Sequence, residues 1–223
     1  MKVEDVVKRV RSSAGDLTAL QFDNSTLLDW INDGVRECVI ENNLLQARAR
    51  SQTSVGRAEY NLPSNIFRLH SVTVDGMKLE VLTLEQWEER NASESGQKGG
   101  NNEPFQCYIF AGVLTLWPPP ATEKELVINY TKMPASIKYS ESPEGYVPCD
   151  LPIPEAFHNR IVTYCLAQVA FQDDDFVRYQ SLMLEFTTGM RDLKNIDQTE
   201  DLYPFISVSS RDMGETFPRP YFY

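Results

Sequence analysis

The chain has 223 residues, of which 42% are apolar and 24% charged, and its 21 Lys and Arg against 32 Asp and Glu give a formal charge of -11 at pH 7. That length buries roughly 70% of the surface exposed by the unfolded chain, enough for one sizeable core or for a core with a smaller layer inserted. The acidic excess argues against a protein that grips nucleic acid in a positive groove, and no window approaches the ~18 apolar residues of a membrane span.

The first residues, Met1 to Arg11, carry charge with no apolar stretch behind it, so the chain is expected to be soluble and unsecreted. Val3 to Arg11 reads as a helix, followed by the polar turn Ser12 to Asp16. A stronger helix comes next. Asn24, Ser25 and Thr26 offer its cap, and Leu27, Leu28, Trp30, Ile31, Val35, Cys38, Val39 and Leu45 recur at the three- and four-residue offsets of one helical face. The other face carries Asp29, Asp33, Arg36, Glu37 and Glu41. Gly34 in the middle costs about 1 kcal/mol relative to Ala, so it either admits a neighbouring helix or is simply tolerated.

From Arg50 onward the pattern is that of short strands: 51–55, 58–63, and two alternating runs in 66–82 joined by an Asp75-Gly76 hairpin signal. Antiparallel pairing is expected. Thr83 to Arg90 predicts a short helix, with Thr83 as cap, Gln86 three residues on, and Leu84 and Trp87 on one side. Residues 91–104 read as an exposed loop, whose Gly96 to Asn102 part is either a contact loop in an assembly, a lid or a tolerated insertion. Strands 105–110 and 112–117 meet at Ala111-Gly112, and 125–132 begins a third, which makes a β module of about five or six strands.

Five prolines make 134–154 a rigid return path. Helical period then reappears from Pro154, with Phe157, Ile161, Tyr164, Cys165 and Gln168 on one side. After Asp173, Asp174 and Asp175, a second helix spaces Phe176, Tyr179, Met183, Phe186 and Met190 to form an αα-hairpin with it. The acidic triplet suits the start of that helix, and Arg191 and Lys194 its end.

The expected class is α+β. Segments 1–49 and 150–194 would form a helical bundle of two N-terminal and two C-terminal helices, 50–149 an inserted antiparallel β module, and 195–223 an extended C-terminal arm. That arm lacks a period but holds Tyr203, Phe205, Phe217, Tyr221, Phe222 and Tyr223. Exposed aromatics on an arm are a liability unless they dock, so these six are the candidate partner-binding residues, with docking on another protein favoured over packing back on the same subunit.

Recognisable chemistry is missing. There is no dinucleotide fingerprint, P-loop, zinc-protease, nucleophile-elbow or EF-hand pattern. His70, in a strand, and His158, beside Asn159 and Arg160 on the polar flank of its helix, are expected to be structural. The Asp triplet reads as a cap rather than a cation site, and Glu85, Glu88 and Glu89 as an outer helix face rather than an acid/base pair. Cys38, Cys107, Cys149 and Cys165 form no CxxC pair, so buried free thiols are expected rather than bridges or zinc ligands. No catalytic, cofactor-binding or metal-binding residue is assigned.

Four segments together carry a resemblance: Gly56 to Pro63 as GxxxYxLP, Val72 to Leu79 as VxVDGMKL, Gly112 to Pro120 as GxLTLWPPP, and the helix Pro154 to Gln168. From about residue 16 to residue 190 the chain resembles the head-to-tail adaptor (connector) proteins of tailed bacteriophages. That resemblance implies a non-enzymatic virion component made in the host cytoplasm. It would form a ring, usually of twelve subunits, that sits beneath the portal protein, joins it to the tail tube or nozzle, and continues the channel for double-stranded DNA without binding it specifically. It also implies a C-terminal arm reaching toward the portal, matched in position by Tyr203 to Tyr223. An acidic channel wall would let phosphates slide past, and Asp29, Asp33, Glu37 and Glu41 are its candidates. The alternatives are a tail-completion or nozzle subunit that touches the tail only, and a small carboxylate-based hydrolase.

Overall fold

Valines at positions 3, 6, 7 and 10 put one apolar stripe on the first helix, α1 (Val3–Ala14), and all four are buried. A computed structural model describes residues 1–16, 18, 21–93, 103–138 and 149–198. Helix α1 runs past Arg11 and stops at Gly15, whose φ of 77° is the left-handed conformation that glycine adopts without penalty.

Helix α2 (Asn24–Asn42) is capped one residue earlier than the sequence indicated. The Asp23 carboxylate accepts from the Thr26 amide at 2.7 Å and from the Ser25 hydroxyl at 3.0 Å. Hydrogen bonding from Thr26 holds the Asp23 carboxyl below its ordinary value. The contribution of this cap is therefore complete above the ordinary carboxylate range and is lost as pH falls through the lowered value.

Three further elements complete the helical part: a single 3₁₀ turn (Glu155–Phe157), α4 (His158–Gln172) and α5 (Phe176–Gln198). Their buried side chains join those of α1 and α2 in one cluster that includes Val6, Leu27, Ile31, Val35, Ile161 and Phe186. Each such side chain contributes about 1.5–3 kcal/mol on burial. Gly34 lies where α2 meets α4. A Cβ added there would sit 3.0 Å from Tyr164 Cδ1 and 3.3 Å from its Cγ, so the glycine admits the ring of the neighbouring helix. Gly34→Ala is expected to be near neutral, within about 1 kcal/mol, because improved helix propensity offsets a small displacement of the ring. Gly34→Leu should cost about 1–3 kcal/mol or more by overpacking, and urea unfolding of the two variants separates these outcomes.

The strands begin at Gln46, inside the stretch read as helical. Asn43, with φ 50°, ends α2, and Leu45 accepts from the Lys132 amide as the chain enters the sheet. Strands β1 (Gln46–Gln52), β2 (Glu59–Asn61), β3 (Ile66–Val74), β4 (Met77–Lys78) and β5 (Glu80–Leu82) precede α3 (Leu84–Ser93). Strands β6 (Gln106–Phe110), β7 (Val113–Trp117) and β8 (Glu125–Lys132) follow it. One sheet has the order β1-β8-β3-β4 and the other β2-β7-β6-β5. A second apolar cluster draws on both sheets, with Val72, Val74, Leu126 and Ile128 from the first and Cys107, Leu114 and Leu116 from the second.

Both two-residue turns carry positive φ at each central position, Asp75-Gly76 at 51° and 78° and Ala111-Gly112 at 48° and 78°, matching the right-handed twist of their strands. The α3 cap is the reciprocal pair expected from Thr83 and Gln86: the Gln86 amide donates to Thr83 Oγ1 and the Thr83 amide to Gln86 Oε1. The helix continues to Ser93, through the start of the segment read as a loop; residues 94–102 of that loop lie outside the described residues.

Two expectations about the sheets are corrected. The described residues form eight strands rather than five or six; the run read after Asp75-Gly76 as one strand is broken at Leu79 into β4 and β5, which belong to different sheets. The β5–β6 pair is parallel, since α3 and its flanks supply the crossover that a hairpin cannot.

All four cysteines are free thiols; Cys38, Cys107 and Cys165 are buried and Cys149 is half-buried. Burial pushes the Cys38 and Cys107 thiols up to about 12, and raises those of Cys165 and Cys149 as well. In the folded protein at about pH 8, an aromatic disulfide reagent should therefore modify Cys149 alone, with the other three reacting only after unfolding. Rapid modification of two or more thiols in the native protein would contradict this arrangement.

Candidate interaction surfaces

Asp29, Asp33, Glu37 and Glu41 recur every four residues on α2 and all four are exposed, which makes one acidic column. Its two halves have different neighbours. Asp33 pairs with Arg36 at 3.0 Å, and Arg36 also donates to Ser136 Oγ at 3.2 Å. Asn32 fastens the chain after β8 to this part of the helix, donating to the Ile137 carbonyl at 3.0 Å and accepting from its amide at 2.8 Å. Glu37 and Glu41 instead border a groove.

That groove, about 600 Å³, opens between α2, α4 and α5. Tyr164, Tyr179, Met183, Phe186 and Met190 supply its apolar wall. Arg191 and Lys194, near the end of α5, add cations. Asn42 lies in it, only 8% exposed; its Nδ2 donates to the Cys38 carbonyl at 3.5 Å and faces the Met190 sulfur at 3.7 Å, while its Oδ1 has no partner among the described residues. The sequence reading overlooked Asn42, although it follows Val35, Cys38 and Val39 on the apolar stripe of α2.

Two aromatic patches face outward. On the β2-β7-β6-β5 sheet, Trp87 of α3 stacks on Tyr108 at 4.8 Å and meets Trp117 edge-on at 5.5 Å, and Phe110 at the β6–β7 turn is 61% exposed. At the α4–α5 turn, Phe171 contacts Phe176 at 5.9 Å and Tyr179 at 5.3 Å, while Val177 and Leu184 are 81% and 68% exposed on α5. The six arm residues Tyr203, Phe205, Phe217, Tyr221, Phe222 and Tyr223 lie outside the described residues.

The histidines and the acidic triplet are occupied with local structure. His70 Nε2 bonds Thr131 Oγ1 at 2.8 Å. His158 is buried rather than on a polar flank: its Nδ1 accepts from the Met1 amine at 3.0 Å, which leaves Nε2 to donate to the Ile153 carbonyl at 2.9 Å. Asp173 accepts from Gln21 Nε2 at 2.7 Å, Asp174 turns the chain with φ 56°, and Asp175 caps α5 through the Arg178 amide at 3.1 Å. Among the described residues, no group of three or more His, Cys, Asp and Glu could hold a metal ion, and no helix is long and apolar enough to cross a membrane.

The geometry is thus one of helices and sheets with exposed aromatic patches, an open groove and an acidic column. No curated protein matches the chain. The family model described as SU10 adaptor protein matches residues 1–210, which takes in every element described above. The chain belongs to the SU10 adaptor protein family, consistent with a phage head-to-tail adaptor.

Proposed function

We propose that the protein forms a ring beneath the portal of a phage particle, joins the portal to the tail, and continues the channel through which double-stranded DNA passes. The family match over residues 1–210 carries this reading. Segments 1–49 and 150–194 would build the ring wall, and 50–149 would meet neighbouring subunits through patches such as Phe110 and Trp117, whose exposure suits a surface covered on assembly, with the half-buried Trp87 beside Trp117. The aromatic arm, Tyr203 to Tyr223, would dock on the portal.

The acidic column of Asp29, Asp33, Glu37 and Glu41 would line the channel, where like charge keeps phosphates from sticking. Replacing all four by the corresponding amides is expected to leave ring assembly intact and slow DNA exit from loaded particles. Ejection rates followed at several salt concentrations check this, with unchanged rates at low salt counting against the assignment.

Co-sedimentation with purified portal rings tests the reading as a whole. The protein should travel as a small species alone and with the portal when mixed, and independent travel in the mixture would oppose it.

A further inference from the structure

Among the described residues, β1 is the longest strand at a sheet edge, 7 residues against 3, 2 and 3 for β2, β4 and β5. Its odd positions bond β8. The Leu45 carbonyl accepts from the Lys132 amide and the Thr53 amide donates to the Lys124 carbonyl, at the two ends of one continuous antiparallel register. The amides and carbonyls of Gln46, Arg48, Arg50 and Gln52 therefore point to the open side, where no described strand pairs with them.

The two faces of β1 differ. Ala47 and Ala49 pack against the apolar cluster between the sheets and are small beside their cross-strand partners Tyr130 and Ile128. Arg48 and Arg50 are exposed on the opposite face, bonded to Asn129 at 2.7 Å and to Glu125 at 3.4 Å. The small residues leave a slot of about 390 Å³ between β1 and the edge of β2, with Ala49, Tyr60, Leu62, Leu126 and Ile128 in its walls. A cavity of ~150 Å³ already admits a benzene ring.

Charge is uneven here as well. In a chain of net charge -11, residues 42–58 hold Arg48, Arg50 and Arg57 and no Asp or Glu. The Arg57 Nε donates to the Glu59 carbonyl at 2.8 Å, on the free side of the short β2, so β1 is the strand left open to pairing.

We propose that β1 is a docking edge for an extended segment of a partner protein that carries acidic and apolar residues in alternation. The segment's backbone bonds the open amides and carbonyls of β1; on one face its apolar side chains enter the slot beside Ala47 and Ala49, and on the other its carboxylates meet Arg48 and Arg50. A second copy of β1 does not fit, because antiparallel pairing would set arginine against arginine. DNA would engage the arginines but leave the slot and the strand edge unused. This inference concerns the free chain and does not rest on the portal reading, which a separate portal-binding measurement decides.

The test is titration of the full-length protein with a fluorescein-labelled peptide of sequence EVEIEVE, read by anisotropy and by amide hydrogen exchange. Saturable binding is expected, with slowed exchange in 46–52 and binding of the peptide KVKIKVK weaker by at least about tenfold. The variant Arg48→Glu/Arg50→Glu, changed only at exposed positions, should reverse that preference. Ala49→Leu, which fills the slot from within, should keep the melting temperature and weaken EVEIEVE by at least about fivefold. Absence of saturable binding, equal binding of the two peptides, or binding without protection of 46–52 would overturn the proposal. Displacement of EVEIEVE by a mixed-sequence DNA duplex would overturn it by assigning the arginines to phosphate. Protection of 46–52 that rises with protein concentration in the absence of peptide would overturn it by assigning the edge to a second copy.

Discussion

Asp16→Ala should lower the stability of the folded chain by about 3–5 kcal/mol, the largest loss expected from any single surface-to-core polar change in the helical part. The Asp16 carboxylate is 2.6 Å from Arg11 Nη1, and the two side chains are only 2% and 10% exposed. Asp16 also accepts from the Gln21 and Phe22 amides at 3.1 and 3.2 Å. Arg11 in turn donates to the Phe22 carbonyl at 2.9 Å and to Asn24 Oδ1 at 2.8 Å. One ion pair therefore closes the connection between α1 and α2 and satisfies the backbone at the entry to α2.

Removing the carboxylate leaves a guanidinium in a dry site and two amides unpaired, which is why the cost far exceeds that of an exposed pair such as Arg50–Glu125, worth at most about 1 kcal/mol. Arg11→Ala should cost a similar amount. Replacing both residues by apolar side chains of similar volume should cost less than the sum of the single changes, because neither charge is then stranded. Thermal melting would register the single substitutions as a drop of about 10 °C for a chain of this size. A drop of only a degree or two would mean that the pair is solvated in solution.

Ending the chain at Gln198 should reduce portal binding by at least about 100-fold while leaving the helical signal unchanged. Aromatic anchors that fill pockets contribute about 2 kcal/mol or more each, and 1.4 kcal/mol is a factor of ten, so the loss of two such anchors already exceeds that ratio. The truncation removes Tyr203, Phe205, Phe217, Tyr221, Phe222 and Tyr223 and no element from either apolar cluster. Portal affinity measured on the truncated and full chains decides the point. An adaptor loses the portal, whereas a subunit that touches only the tail keeps its partners without the arm.

Much of the architecture was legible because its signals are periodic or local. The apolar offsets of α2, α4 and α5, the Thr83/Gln86 cap and the two short turns each depend on residues close in the chain. Long-range consequences were not legible. The parallel β5–β6 pair depends on where α3 carries the chain, and β1 starts at Gln46 because β8 pairs with it there.

The polar residues of the core had a signal that was passed over. Arg11 stands four residues beyond Val7 on the buried stripe of α1, as Asn42 stands four beyond Cys38 on α2. A polar residue on an apolar stripe signals a buried network or a binding surface, and Arg11 supplies such a network. The acidic column was visible as a spacing, but what it faces is a property of an assembly, and side-chain spacing within one chain carries no information about that.

Electron microscopy of negatively stained mixtures of this protein with purified portal rings tests the central claim most directly. The expected image is a second ring of density stacked coaxially on one end of the portal, with an open channel continuous through both. Bare portal rings at every salt concentration, with the protein remaining free in the background, would contradict the adaptor reading.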